Sequence, residues 1–194
     1  MRNGSETPAA SPRPTGARQI HAAVIRAAAR RFAAEGLRTS LRDIATDAGV
    51  NVGLIHRHIG NKDDVVRAVL ASQSRVGANG IARAADIGGA FSWIFGQLAS
   101  GRSYVRIIAW LLLGGGDSAS WGYQRDYATI EALRNKAPDG ADEIGLMAAM
   151  TLVYGWSLFS DRLMEAFGAD PARRAEIDSR LAALATQLVT AGAS

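Results

Sequence analysis

The sequence predicts an all-α protein. Apolar residues recur at intervals of three and four along most of the 194-residue chain, which is the spacing of an amphipathic helix. No stretch alternates apolar and polar residues with the period of two that is typical of strands. Segments rich in glycine or proline separate the apolar stretches, at Gly101, at residues 114–116 and at residues 138–140. We therefore expect helices joined by short loops.

Local start and stop signals place these helices along the chain. An apolar stripe at residues 20–32 marks the first helix, which is expected to end at Gly36. Asn61 with Asp64 caps the fourth helix, which is expected to run toward Asn79 and to link the two halves of the chain. Further helices are predicted at residues 86–99, 104–113, 118–136 and 141–167, and a last one begins after Asp170 with Pro171 in its first turn.

A helix-turn-helix is predicted between the first and fourth helices. Ser40 and Asp43 have the spacing of a capping box, so the second helix is expected to begin at the residue after Ser40. Ala45 is small enough for the next helix to approach closely, and Gly49 accepts a left-handed turn conformation. Ile55 would anchor the third helix in the core. A cap, a turn and an anchor in register favour a DNA-reading helix pair over a simple αα-hairpin.

The charge is distributed unevenly. The first 62 residues contain ten Lys and Arg residues and four Asp and Glu residues, a net charge of +6, and the remainder carries −2. A basic end on a slightly acidic body is typical of a protein that binds DNA at that end. Arginine-rich surfaces are also common in chains rich in alanine and glycine, so the charge supports the motif without establishing it.

Four segments within residues 17–71 form a recognisable pattern: F-A-A-E-G, T-S-L-R-D-I-A, A-G-V and N-K-D-D. With these segments, residues 17–71 resemble the N-terminal domain of the TetR (tetracycline-repressor-like) family of one-component regulators. The sequence departs from the usual family pattern in the third helix. There His56, His58 and Ile59 stand where the family often has Tyr, Tyr or His, and Phe, and Leu54 stands where the family often has a small hydroxyl residue.

The resemblance implies an architecture and an activity for the whole chain. It implies an N-terminal three-helix DNA-binding domain and a C-terminal helical ligand-binding and dimerisation domain. Helices at residues 141–167 and 171–191 would form a four-helix interface of a homodimer. Two recognition helices would then enter successive major grooves of a pseudo-palindromic operator, and a small apolar effector would release this repressor. The alternative is a helical small-molecule-binding or catalytic protein whose helix-turn-helix is only structural.

Ten residues are candidates for contacts with double-stranded DNA. Arg42, one turn into the second helix, can reach guanine or phosphate, and the alternative is an exposed arginine without a role. His56 could donate to a phosphate or pack between helices. Lys62 lies in the first turn of the fourth helix, where a cation opposes the helix dipole, so its position favours a bound phosphate. The full set is Ser40, Arg42, Asn51, Val52, Gly53, Leu54, His56, Arg57, His58 and Lys62.

Aromatic residues are spread through the otherwise aliphatic helices of the C-terminal body. Most are expected to fill the core, and the resemblance implies that a few line an apolar cavity for an unknown small-molecule effector. Trp110, Tyr127 and Tyr154 are the candidates for ligand contact because they lie centrally in their predicted helices.

The residue types present exclude several kinds of site. The chain has no cysteine, which excludes disulfides and cysteine-based zinc sites. All three histidines lie before residue 59, so the body lacks the commonest acid, base and nucleophile, and no enzymatic activity is expected. His56 and His58 point about 200° apart on a helix and cannot share one metal ion. No cofactor or metal is expected.

Three regions are predicted. Residues 1–16 are rich in proline, serine and glycine, lack the apolar core of a signal peptide, and are expected to form a disordered arm. Residues 17–62 form the DNA-binding domain, and residues 63–194 form the effector-binding and dimerisation domain. The uncharged stretch 144–160 is shorter than the ~20 residues of a membrane span. It is expected to be a core and subunit-interface helix in a cytoplasmic protein, with no membrane association.

Overall fold

A computed structural model describes residues 14, 16–100, 103–113 and 127–191. These residues form helices and no strands, which confirms the all-α prediction. Outside the described residues lie residues 1–13 and 15 of the predicted arm 1–16, the glycine run 114–116 and the start of the predicted helix 118–136. The helices are α1 (Ala17–Glu35), α2 (Leu41–Ala48), α3 (Val52–His58), α4 (Lys62–Arg83), α5 (Ile87–Ser100), α6 (Ser103–Leu113), α7 (Ala128–Arg134), α8 (Glu143–Ala166) and α9 (Arg174–Thr190).

Several helix boundaries differ from those predicted. The described part of the predicted helix 118–136 is α-helical only from Ala128 to Arg134, and Tyr127 lies in a turn before it. The helix α4 continues one turn beyond Asn79, to Arg83, and Ile81 near its end is fully buried. At the start of the last helix, Asp170 caps as predicted by accepting a 2.9 Å hydrogen bond from the backbone N–H of Ala172. The first turn is a 3₁₀ turn, Pro171–Arg173, and the α-helix follows it. A 3₁₀ turn at a helix end is common because it satisfies backbone groups that the α-helix leaves free.

The buried residues form two hydrophobic cores. The first core is built by α1, α2, α3 and the first half of α4, with Phe32, Ile44 and Ile55 completely buried. It also contains α6, which contributes Ile107 and Leu111 to the same core. The second core is formed by the end of α4 with α5, α7, α8 and α9. Consequently α4 and α6 are the helices that connect the DNA-reading region to the rest of the chain.

The helices α8 and α9 pack against each other at close range. A Cβ added to Gly145 would lie 2.1 Å from the carbonyl oxygen of Leu188, so only glycine allows this approach. Ala149 and Ala185 are fully buried along the same pair of helices. Small residues therefore bring the two backbones together, which fixes α8 and α9 as one unit.

The uncharged stretch within α8 is buried on one face only. Met150 and Val153 lie in the second core, whereas Ile144, Met147 and Phe159 are exposed. The neighbouring helices of the same chain cover one side of this helix, and its expected place in a subunit interface remains a prediction. Among the described residues, no helix is long and apolar enough to cross a bilayer.

Candidate DNA-binding surface and ligand cavity

The second helix begins with the predicted capping box. The backbone N–H of Asp43 donates to Oγ of Ser40 at 3.2 Å, and the backbone N–H of Ser40 donates to Oδ2 of Asp43 at 3.1 Å. The Ser40 hydroxyl also donates to that carboxylate at 2.6 Å. These hydrogen bonds, first from the hydroxyl and then from the backbone, hold the pKa of Asp43 below its usual range. Ser40 is exposed, and its hydroxyl forms the hydrogen bonds that cap α2.

The turn and the anchor are also confirmed. Gly49 has φ 67° and ψ 30°, the left-handed conformation that a residue with a Cβ rarely adopts. Its N–H bonds to the carbonyls of Ala45 and Thr46 and so ends α2. Ile55 is fully buried. The chain thus turns sharply from α2 into α3 and keeps both helices on the same core.

The third helix divides into a packed side and an exposed side. Asn51 caps it as predicted, since Oδ1 accepts a 2.8 Å hydrogen bond from the backbone N–H of Leu54. Half-buried side chains on α3 are Val52, Leu54 and His58, and the first two pack against the first core. Exposed positions are Gly53, His56 and Arg57. The outward surface of α3 therefore consists of a bare backbone position, one imidazole and one guanidinium.

Arg42 and Arg57 supply exposed positive charge on α2 and α3. Within the described part of the chain, neither forms an ion pair with Asp or Glu. An exposed guanidinium with no carboxylate partner retains its donors for phosphate or guanine. The predicted contacts at Arg42 and Arg57 remain predictions, and their placement leaves them accessible.

Lys62 has an internal partner that the sequence did not indicate. Its Nζ donates to the backbone carbonyl of Leu37, in the 3₁₀ turn Gly36–Arg38 that precedes the helix-turn-helix. The amine therefore ties the start of α4 to that turn. An ammonium group has three donors, so this bond leaves capacity for a phosphate. Asn61 and Asp64 form the predicted capping box at 2.8 and 3.0 Å, and this box occupies a backbone N–H that a phosphate would otherwise use.

An ion-pair cluster joins α1 to α2, and sequence reasoning missed it. Arg31 donates to both carboxylate oxygens of Asp47, at 2.7 and 2.9 Å, and to Glu35 at 2.8 Å. The guanidinium holds the pKa of Asp47 below its usual range. Arg31 and Asp47 are 16 residues apart, so no local spacing rule could pair them. One of the basic residues counted toward the DNA-binding end thus serves to fix α2 on α1.

A cavity of about 300 Å³ lies between α4, α5, α6, α7 and α8. Its described lining contains no Asp, Glu, Lys, Arg or His. Apolar and aromatic lining residues include Ile81, Trp93, Ile94, Leu98 and Val153. Neutral polar lining residues are Gln73, Gln97, Tyr104, Thr129 and Tyr154. Such a mixture suits a small, largely apolar molecule that makes a few oriented hydrogen bonds.

Comparison with known proteins agrees with this geometry. Residues 24–69 match the tetR family of bacterial regulatory proteins. The HTH-type transcriptional repressor Rv3405c of Mycobacterium tuberculosis is 34% identical over 171 residues, which cover 81% of this chain and 82% of that protein. This chain belongs to the tetR family. The HTH-type transcriptional regulator Mb3439c of Mycobacterium bovis has the same identity and coverage.

Solved structures share the fold of this tetR-family chain. A TetR family transcription regulator from Marinobacter aquaeolei VT8 superposes with a TM-score of 0.63 at 15% identity, over 89% of this chain and 96% of that one. LfrR from Mycobacterium smegmatis, solved in complex with proflavine, gives a TM-score of 0.58 at 19% identity and the same coverage. The relatives are named as transcriptional regulators, and the enzymatic alternative is not favoured.

The three aromatic candidates for ligand contact lie in different places in this tetR-family chain. Tyr154 lines the cavity. Trp110 is not among the cavity-lining residues: its ring lies against Gly36, 2.9 Å from where a Cβ on that glycine would stand. Tyr127 is exposed just before α7 and is also absent from the lining. Ligand contact by any of the three remains a prediction, and Tyr154 has the position that favours it.

Among the residues that the structure describes, no group of three or more His, Cys, Asp or Glu side chains could hold a metal ion. His56 is exposed, whereas His58 is half-buried. This difference is consistent with two rings that point away from each other on α3.

Proposed function

We propose that this chain is a homodimeric repressor that binds a pseudo-palindromic operator and is released by a small, largely apolar effector. The observation that carries the proposal is the placement of two sites on shared helices. The helices α2 and α3 pack on the first core and expose their other side, and the cavity lies beside the second core. Residues of α4 and α6 contribute to the first core and also line the cavity. A ligand in the cavity therefore touches helices that also position the DNA-reading pair.

Sequence reading is assigned to α2 and α3. In a helix-turn-helix, the second helix lies in the major groove and a dimer reads two half-sites about one helical turn apart, or a multiple of it. Gly53 is exposed, and a Cβ added there would contact little beyond Asn51, so the backbone of α3 can approach base edges. Arg42 on α2 and Arg57 on α3 provide exposed donors for guanine or phosphate.

A second copy of this chain is the proposed partner of the exposed α8–α9 face. Met147 and Leu184 are 60% and 49% exposed although both are large and apolar, and Ile144, Phe159 and Leu188 are exposed with them. Exposed apolar patches of this extent mark interaction sites. Gly155 has open space around it within this face, so a partner helix could approach there closely. A four-helix interface from two copies would cover the face on both chains at once.

The effector is proposed to act through α6 and α4. Tyr104 at the start of α6 lines the cavity, and Trp110 near its end rests on Gly36. The turn that begins at Gly36 is bonded in turn to Lys62, the first residue of α4. A ligand that moves α6 would thus disturb both attachments of the DNA-reading pair. Release of DNA requires that the effector bind the DNA-free arrangement more tightly than the DNA-bound one.

Selection from random double-stranded DNA tests the DNA half of the proposal. The purified full chain should enrich one inverted repeat, with half-sites separated by about one turn or a multiple of it. The matched control is Arg42→Ala combined with Arg57→Ala, which removes two exposed guanidinium groups and leaves the buried residues unchanged. Failure of the unmodified chain to bind DNA at low salt would favour the rival view of a purely structural helix-turn-helix.

A further inference from the structure

Two cavities in the C-terminal region share a wall. The first is the apolar cavity of about 300 Å³ described above, and the second is a groove of about 540 Å³ along the end of α4 and the start of α5. Trp93 and Val76 line both. The groove is more polar than the cavity, since Asn79 and Arg83 belong to its lining. The indole of Trp93 is the larger of the two shared side chains and therefore forms most of the partition.

The indole is held in place by a glycine on the facing helix. A Cβ added to Gly80 would lie only 2.1–2.3 Å from Cζ2, Cε2 and Cη2 of Trp93. The six-membered part of the ring therefore rests directly on the backbone of α4. Any residue other than glycine at position 80 would place a Cβ in the space that the ring occupies. Gly80 is buried, and glycine inside a helix is less favourable than alanine. The close approach of the ring is a physical reason for glycine at this position.

We infer that Trp93 determines how long a ligand the cavity accepts. This inference rests on the proposed function, because it concerns the same effector cavity. With the indole seated on Gly80, an apolar ligand cannot extend past the ring toward the groove, and 300 Å³ is at the lower end of small-molecule pockets. Without the ring, the cavity opens into the groove and a ligand can continue toward Asn79 and Arg83. Trp93 is thus a specificity-determining residue that selects short ligands.

Straight-chain alkan-1-ols from hexanol to dodecanol measure this length directly. They are uncharged, as is the described lining, and each added methylene that becomes buried should raise affinity about fourfold. In the unmodified chain the affinity, measured by isothermal titration calorimetry, should rise with chain length and then stop rising. In Trp93→Ala the rise should continue to longer alkanols. Two more buried methylenes correspond to about sixteenfold tighter binding of the longest probes.

Gly80→Ala and Gly96→Ala form a matched pair on the same question. Gly80→Ala leaves the indole in the chain but pushes it off its seat, so the length limit should shift here too, even if Trp93→Ala folds poorly. Gly96 is an exposed position on α5, and a Cβ added there meets nothing within 4 Å. Gly96→Ala gains the same helix propensity without touching the partition, and its length limit should equal that of the unmodified chain.

The outcomes separate this inference from the proposed function. Binding of alkanols with the same length limit in the unmodified chain, Trp93→Ala and Gly80→Ala would overturn the role of Trp93 and leave the effector cavity standing. If no alkanol binds the unmodified chain, both the partition and the apolar effector site are overturned. Operator binding is measured separately, so loss of DNA binding in these variants does not enter the comparison.

Discussion

The indole nitrogen of Trp156 donates a 2.6 Å hydrogen bond to Oδ1 of Asp178, joining α8 to α9 in a buried position. Arg174 completes the cluster: its Nε lies 3.1 Å from the same oxygen, and its guanidinium carbon lies 5.1 Å from the centre of the indole ring. A buried carboxylate needs such partners, because unpaired it would be strongly disfavoured. This polar cluster lies on the two helices that carry the exposed apolar face, so it bears on the geometry of that face.

Removing one partner of this cluster should destabilise the chain measurably. Trp156→Phe deletes the indole donor to Asp178, and Asp178→Ala leaves both the indole and Arg174 without this buried acceptor. Each variant should lose about 1–3 kcal/mol of unfolding free energy, with Asp178→Ala the larger. Urea unfolding at one fixed protein concentration measures this. Arg162→Ala is the control, since it breaks an exposed i,i+3 ion pair worth about 0–1 kcal/mol.

Low pH should destabilise the N-terminal helices, because Asp47 and Asp64 lose their charge there. The pKa of Asp47 is lowered by Arg31, and the pKa of Asp64 is lowered by the backbone of Asn61 and then by Arg67. A group whose pKa is lower in the folded state stabilises the fold above its unfolded value, about 3.9, and loses that contribution as pH falls through the folded value. Stability should therefore decline below about pH 4.

Asp47→Asn tests the Arg31 pair within this acid range. The variant should be less stable than the unmodified chain at neutral pH, and the difference should shrink as pH falls below about 4, because the unmodified chain then loses the same charge. Circular dichroism during urea unfolding at a series of pH values gives the comparison. Asp139→Asn, at an exposed position before α8, should show no comparable effect at neutral pH. Parallel curves for Asp47→Asn and the unmodified chain would contradict the prediction.

Dimer formation should depend on the exposed apolar face of α8 and α9. Leu184→Asp places a charge on that face and should convert the dimer to a monomer that remains folded. Leu158 is 36% exposed and serves as a second position, whereas Leu152 is half-buried against the second core, so Leu152→Asp would also disturb folding. Leu112→Asp is the matched control, because Leu112 is a leucine that is 55% exposed on α6 and belongs to neither α8 nor α9.

Analytical ultracentrifugation of the three variants decides this point. Leu184→Asp and Leu158→Asp should sediment as monomers at concentrations where the unmodified chain and Leu112→Asp sediment as dimers. A monomeric unmodified chain would remove the proposed interface. Loss of the dimer in Leu112→Asp as well would place the interface elsewhere or show a general effect of the added charge.

The sequence predicted those features whose signals are local. The capping boxes, the left-handed glycine and the buried anchor at Ile55 each depend on residues within a few positions of one another, and each was confirmed. The bonds between Arg31 and Asp47 and between Lys62 and Leu37 join residues 16 and 25 positions apart. Such pairs depend on how helices pack, and the spacing of residues along the chain carries no information about them.

The aromatic candidates show the same limit. Central placement in a helix does not indicate which way a side chain points, because that depends on the rotation of the helix against its neighbours. Trp110 points to Gly36, whereas Tyr154 lines the cavity. Trp93 is one of many aromatic residues in the sequence, and its role as a wall depends on its contact with Gly80 on the next helix. A glycine on one helix facing an aromatic residue on the next could have suggested this contact.

Lys62 offers a test of phosphate binding against an internal role. If its ammonium also contacts a DNA phosphate, Lys62→Ala should reduce the slope of log affinity against log salt by about 1 and weaken all DNA sequences alike. If it serves only the Leu37 carbonyl, stability should fall while the slope stays the same. Fluorescence anisotropy across a salt series gives the slope, and urea unfolding gives the stability.

Lys62→Arg is the control for that experiment, since it keeps both the charge and donors for the carbonyl. It should retain the slope of the unmodified chain. An unchanged slope in Lys62→Ala together with reduced stability would assign Lys62 to the fold alone and remove it from the DNA-binding surface.

Substitutions at Arg42 and His56 distinguish a contact with a base edge from a contact with a phosphate. If Arg42 contacts a base edge, Arg42→Ala should lose roughly 1–3 kcal/mol of binding free energy and flatten the preference at one position in each half-site. If His56 grips phosphate, His56→Ala should weaken all sites equally. Selection from random DNA and fluorescence anisotropy give these quantities.

Arg75→Ala is the control for Arg42→Ala, because Arg75 is exposed on α4 outside the helix-turn-helix. It should leave the site preference unchanged. A preference that survives Arg42→Ala, with a loss of affinity in His56→Ala that differs between sites, would refute both assignments and shift attention to Arg57 and His58.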